Sequence, residues 1–181
     1  LAREMGVEGL GIYTFCLAII GAVSIPSRLG IPTVMMREIS RYRAVQNWAL
    51  MRGVIIYAHK SVALLTAVVL VIAYTVIHFL DESHRYDSLD VFRIGFLAVP
   101  LLAFTALRTG ILQGLNRVVV SDLPENIVKP LSLICLLLLY SGLTQDRVLS
   151  PVIVISFDLI ATFLSFMCGF LIYKAVRPSV I

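Results

Sequence analysis

Residues 61–77, SVALLTAVVLVIAYTVI, contain no charged side chain. In hydrocarbon every backbone N–H and C=O must be satisfied within the protein, so a run of this kind folds as a helix or as part of a closed barrel. A helix rises 1.5 Å per residue, and about 20 apolar residues cross the roughly 30 Å bilayer core. Extended to its polar flanks, the run predicts a spanning helix over 54–80. Four further stretches qualify, at 10–36, 91–115, 127–143 and 151–173, the fourth being short at its core. Composition agrees: 59% of the residues are hydrophobic and 14% charged, with mean hydropathy +0.95. Soluble domains have about 45–50% and about 25%. The sequence predicts an all-α integral membrane protein, a single bundle over 1–181 with five transmembrane helices and no internal repeat.

The connections differ in charge. REISRYRAVQNWALMR and YKAVRPS are basic, DESHRYDSLD is acidic, NRVVVSDLPENIVK is mixed and TQDR nearly neutral. Five helices put the first, third and fifth connections on one side, with Arg37, Arg41, Arg43, Arg52, Arg117, Lys129, Lys174 and Arg177. The other side holds Arg3, Arg85, Arg93 and Arg147. The bias in lysine and arginine predicts that the richer side is cytoplasmic, with the first residue outside and the last inside. It also accounts for the net charge of +4. Nucleic acid is excluded as a partner, because interleaved basic and aromatic residues do not recur beyond this cluster. Arg37 and Arg41 share a helix face, Glu38 reaches Arg41 at i,i+3, and Trp48 fits the interfacial belt. The stretch reads as an interfacial turn against anionic lipid headgroups.

LAREMGVEG lacks the features of a signal peptide, and with KAVRPSVI at the other end the chain reads as a piece of a longer protein. Cys16, Cys135 and Cys168 lie in apolar runs and read as small buried hydrophobes. Pro124 and Pro151 fit helix starts. Pro26, Pro32 and Pro100 lie deeper and are expected to kink or break their helices. Gly110 and Gly114 have the small-xxx-small spacing of close helix packing.

Four ionisable residues sit where charge is expensive: Arg28, Lys60, Arg108 and Asp158. Such a group costs about 2.5–3.5 kcal/mol on insertion scales. At helical spacing Arg28 aligns with Leu17, Gly21 and Ser24. Arg108 aligns with Ala98, Thr105, Thr109 and Leu112, with Gln113 close by. Asp158 continues through Ala161, Thr162, Ser165, Cys168 and Gly169, opposite Phe157, Ile160, Leu164, Met167 and Leu171. Small and polar faces point inward, so these residues predict a wet cavity that holds an anion. Structural readings stand beside this one: Lys60 snorkels to the surface, Arg28 and Arg108 anchor at the interface, and Asp158 pairs with an arginine and ties helices together. His59 has no assigned role. No nucleophile elbow, zinc-protease helix, phosphate loop or dinucleotide fingerprint appears, so no enzyme, metal or bound cofactor is expected.

The segment LAREMGVEGLGIYTFCLAIIGAVSIPSRLGIPTVMMREISRYRA resembles the opening of the polysaccharide/oligosaccharide flippases of the O-antigen kind. Gly30, Ile31, Pro32, Thr33, Arg37, Glu38, Arg41 and Tyr42 carry one motif. The second, ALRTGILQGLNRVVVSDLPENIVKPL, rests on Arg108, Gly110, Leu112, Gly114, Leu115, Leu123, Pro124 and Glu125. The resemblance covers nearly the whole chain. It implies part of the N-terminal lobe of a two-lobed transporter of twelve to fourteen helices, in the multidrug/oligosaccharidyl-lipid/polysaccharide exporter superfamily. It implies a multi-pass protein of a prokaryotic cytoplasmic membrane that moves lipid-linked oligosaccharide outward by alternating access. The partners would be that lipid, membrane lipids and the second lobe of the same chain. Arg28 and Arg108, with Lys60, would bind the pyrophosphate, since guanidinium pairs bidentately with phosphate oxygens. Asp158 would be a charge pair or couple transport to H+ or Na+. Two alternatives remain at this level: a cation-coupled multidrug exporter of the same superfamily, and a non-transporting membrane assembly subunit.

Overall fold

A computed structural model describes residues 2–82, 89–143 and 150–176. The described residues fold into helices and turns: α1 (Ala2–Ser24), α2 (Ile31–Ala44), α3 (Trp48–Glu82), α4 (Leu89–Phe96), α5 (Ala98–Gly114), α6 (Val118–Leu123), a π-helical turn (Pro124–Val128), α7 (Lys129–Leu143) and α8 (Pro151–Val176). Among the described residues five stretches are long and apolar enough to cross a membrane: Gly6–Ser24, Trp48–Phe79, Asp90–Gly114, Val118–Gly142 and Pro151–Ala175. The connections that carry Arg85, Asp87, Asp146 and Arg147, and the terminal Arg177, lie outside the described residues.

The expected helix over 10–36 is two helices. Residues 25–30 form turns, with Leu29 and Gly30 in the left-handed region at φ 39° and 72°. Pro26 has no N–H to continue the helical ladder and its ring crowds the preceding turn. Gly30 adopts positive φ without a Cβ clash, and the chain restarts with Pro32 in the first turn of α2, where a missing N–H costs nothing. The span expected at 91–115 likewise breaks at Leu97, with Pro100 in the first turn of α5. The fourth span begins at Val118 rather than 127. Its polar SDLPEN stretch, read from sequence as a loop, is helical throughout.

α5 and α8 are the most enclosed spans. α5 packs on α2, α3 and α8, and α8 on α7, α5 and α4. α2 and α5 run side by side in the same direction. A Cβ on Gly110 would strike the backbone carbonyl of Pro32, and one on Gly114 would come within 2.8 Å of the Met36 carbonyl oxygen. The small-xxx-small spacing thus marks a contact made by backbone. Both helices end alike. The N–H of Asn47 donates to Tyr42 O, and that of Arg117 to Leu112 O, over left-handed Gln46 and Asn116. Each is a Schellman cap that satisfies terminal carbonyls and turns the chain sharply into the next helix.

Two apolar clusters hold the bundle. One gathers Tyr13, Cys16, Ile20, Ile77 and Phe96 with Val154. The other gathers Ile39, Met51, Val62, Leu107 and Ile111. Exposed Leu64, Val68, Val71 and Ile72 on α3 present the apolar surface that a bilayer requires. Cysteine burial is mixed: Cys16 is buried, Cys168 is half-buried, and Cys135 is exposed on α7, contrary to the expectation for it.

Candidate functional site

The buried polar residues include Thr105 and Arg108 of α5 and Asp158, Thr162 and Ser165 of α8. On α8 the inward stripe read from sequence is the buried face: Ala161, Thr162, Ser165 and Gly169 are enclosed, while Ile160, Leu164, Met167 and Leu171 are exposed. The stripe is tied to its neighbours. Ser165 Oγ donates to Pro124 O at 2.6 Å, Thr162 Oγ1 to Asp158 O at 2.8 Å, and Lys129 Nζ to Asp158 Oδ2 at 3.4 Å. Asp158 therefore pairs with Lys129, not with an arginine. Lys129 was assigned to the mixed connection on the lysine- and arginine-rich side, yet it lies within the Val118–Gly142 span. Removing either partner of such a pair would leave an uncompensated charge at low dielectric.

Arg108 is 6% exposed. Its Nη1 donates to Phe166 O at 3.4 Å, and its guanidinium lies against Gly169, where a Cβ would overlap it. Nε and Nη2 have no hydrogen-bond partner. These two N–H groups form one edge of the planar group, the edge that grips an oxyanion with two parallel bonds. A buried unpaired donor is costly, so this edge is an energetic liability in the folded protein.

Arg28 lies on the other side of α5. It is half-buried, with Nε donating to Ser24 O at 3.1 Å and Nη2 to Ser24 Oγ at 2.7 Å. The Arg28–Ser24 alignment predicted at i,i+4 survives the break between α1 and α2. Arg28 borders a cavity of about 280 Å³ whose other polar walls are Thr33, Thr109, Gln113 and Glu125, with Pro32 and Met36 among the apolar ones. The buried Thr109 Oγ1 is unpaired.

The sequence placed Thr109 with Arg108. The fold separates them: Thr109 and Gln113 turn to the cavity, and Arg108 turns to α8. Lys60 sits exposed on α3, and the site brings together neither its ammonium nor that of Lys129 with Arg28. His59 bonds to Ile55 O and stacks on Phe104. Glu125 was missed as a site residue. It belongs to the second motif, but it fell in a stretch read as a connection. Among the described residues no cluster of three or more His, Cys, Asp or Glu is placed to hold a metal.

Fold and site define a multi-pass α-helical membrane protein with charged groups enclosed in its bundle. The chain belongs to the polysaccharide biosynthesis protein family, which it matches over residues 1–181. It is similar to the sporulation protein YkvU of Bacillus subtilis (strain 168), at 26% identity over 142 residues, covering 77% of this chain and 30% of that protein. The chain thus spans less than a third of that relative's length. No solved structure matches it.

Proposed function

We propose that this chain is part of a flippase that carries a lipid-linked oligosaccharide, joined through pyrophosphate to a polyprenyl chain, from the cytoplasmic to the outer leaflet. The observation that carries the reading is the buried arginine edge of Arg108, two N–H donors without acceptors within the Asp90–Gly114 span. Such a group is retained against its cost where a ligand completes it, and a phosphate oxygen pair has the matching geometry. Arg28, on a cavity wall one helix face away, supplies the first attraction for the anionic headgroup. The basic end of the bundle, with Arg41, Arg43, Arg117 and Lys174, faces the cytoplasm. Asp158 and Lys129 neutralise each other and hold α8 to α7. Alternating access requires the second lobe, and the ligand shifts the two states by binding one of them better.

Family membership supports a role in polysaccharide synthesis. The site favours an anionic cargo over the cationic drugs of a multidrug exporter: among the described residues the buried acid, Asp158, already has a lysine, and Glu125 on the cavity wall shares that wall with Arg28. The test is translocation of lipid-linked oligosaccharide by the whole protein in proteoliposomes. Arg28→Ala and Arg108→Ala are expected to lower it at normal expression, and intact transport in both would overturn the reading.

A further inference from the structure

Two opposite charges face one cavity without pairing. Arg28 and Glu125 both line the space of about 280 Å³, and among the described residues neither makes an ion pair. Opposite charges attract strongly where the dielectric is low, so something holds these two apart. Arg28 is held by its two bonds to Ser24. The backbone of Glu125 is held in the π-helical turn Pro124–Val128. That turn is tied to α8 at its start, where Ser165 Oγ donates to Pro124 O, and just past its end, where Lys129 pairs with Asp158. Single π turns of this kind recur at functional positions.

The neutral polar groups around them are free as well. Thr33 and Gln113 line the cavity and make no side-chain hydrogen bond among the described residues. Thr109 lines it too, and its hydroxyl is buried and unpaired. Elsewhere in the chain such hydroxyls return to their own helix: Thr14 to Leu10 O, Thr75 to Val71 O and Thr162 to Asp158 O. The cavity thus offers a donor in Arg28, an acceptor in Glu125, and groups that do both in Thr33 and Gln113. A phosphate diester only accepts, so it uses one side of this set. A molecule rich in hydroxyls donates and accepts, and uses both. The volume is that of about nine waters at roughly 30 Å³ each, the scale of one sugar ring rather than of an oligosaccharide.

We propose that this cavity is the subsite for the first sugar of the cargo, the one joined to the diphosphate, and that Glu125 is its specificity residue. The proposal deepens the functional reading above and rests on it. Arg28 meets the phosphate, and the adjoining sugar then lies beside Glu125 and Gln113. The carboxylate accepts from two neighbouring sugar hydroxyls, in bonds made short and strong by its charge. Gln113 and Thr33 serve hydroxyls that remain. A sugar with a carboxylate of its own, a uronic acid, brings like charge against Glu125 and is rejected. Neutral hexoses and amino sugars are admitted.

The whole protein in nanodiscs, titrated with three polyprenyl diphosphates, tests the proposal: one bare, one carrying a neutral hexose, one carrying the matching hexuronic acid. Wild type is expected to bind the hexose lipid about tenfold more tightly than either of the others, the scale of one hydrogen bond to a charged group. Each ratio is taken within one variant, so a general change in affinity for diphosphates cancels. Glu125→Gln is expected to bring both ratios to within about threefold of unity, as for a neutral hydrogen bond. Glu125→Asp keeps the charge on a shorter stem, and is expected to keep rejecting the uronate while losing much of the hexose gain. Gln113→Ala is expected to lower the hexose gain about threefold. A wild type that binds the hexose lipid no more tightly than the bare diphosphate, or the uronate lipid as tightly as the hexose lipid, overturns the subsite and leaves the flippase reading standing. So do wild-type ratios in Glu125→Gln. Should that variant fail to fold, an undiminished hexose gain in both Glu125→Asp and Gln113→Ala overturns the subsite. A wild type that binds bare diphosphate no better than the uncharged polyprenol overturns both.

Discussion

Arg28 and Arg108 use opposite parts of the same planar group. Arg28 gives its Nε and Nη2 edge to Ser24, one turn back along its own chain. Arg108 gives only Nη1, to the distant Phe166 carbonyl, and leaves that edge empty. The difference follows from position. Arg28 follows the end of α1, where the Ser24 carbonyl has no next helical turn to pair with and can accept from Nε. Arg108 is in mid-helix, where its own carbonyls are taken, so it must reach across to α8. In the proposed function the satisfied arginine on the cavity wall attracts the anion, and the one buried between α5 and α8 keeps two donors that can take two oxygens.

Substitutions can break that contrast. The largest effect is expected from Arg108→Met. Loss of two charge-assisted bonds at about 1.5–3 kcal/mol implies at least tenfold weaker diphosphate binding by titration in nanodiscs. The same variant is expected to be as stable as wild type or more so in thermal unfolding, because a half-paired buried cation is replaced by an apolar chain. Arg28→Met is expected to cost about fivefold or less in the same titration, its edge being already engaged and partly in water.

Gly169→Ala comes next. Its methyl displaces the Arg108 guanidinium, whose flexible stem can yield, so binding should fall toward the Arg108→Met value. No further loss is expected in the double variant, as for two changes acting on one contact. Gly110→Ala acts on the Arg28 side and on a rigid neighbour. A methyl against the Pro32 carbonyl cannot be relieved by a rotamer, and about 1–3 kcal/mol of stability should be lost, read as a lower unfolding midpoint in detergent.

Ser24→Ala sharpens the comparison in the other direction. It frees Nη2 of Arg28 at about 1 kcal/mol of stability, and diphosphate binding should improve as Arg28 comes to resemble Arg108. Lys60→Ala, at an exposed position on α3, should change binding less than about twofold, as surface charges usually do.

The five spans and the inward face of α8 were legible because each is a periodic property of composition. A window of apolar residues marks a span, and a stripe of small and polar residues marks the side turned from lipid. The break at 25–30 was legible as a proline effect but not as a left-handed turn at Leu29, which only the restart at α2 determines. The start of the fourth span was not legible. Ser121 and Pro124 are buried and Glu125 faces a cavity, so polar residues that usually mark a loop here mark a helix side that never meets lipid. The Lys129–Asp158 pair joins residues 29 apart on two helices, and nothing in local spacing encodes it. The faces of Arg108 and Thr109 differ by one residue, and which one turns to α8 depends on the packing of α2 against Gly110.

That last contact divides the chain's freedom to vary unevenly. Every residue carries a carbonyl, so the α2 side of the junction survives almost any change of side chain at Pro32 that keeps the helix. The α5 side depends on a hydrogen atom, and any substitution at Gly110 replaces it. Across one interface, the side chain of one partner is free to change, while any side chain added to the other must push against backbone.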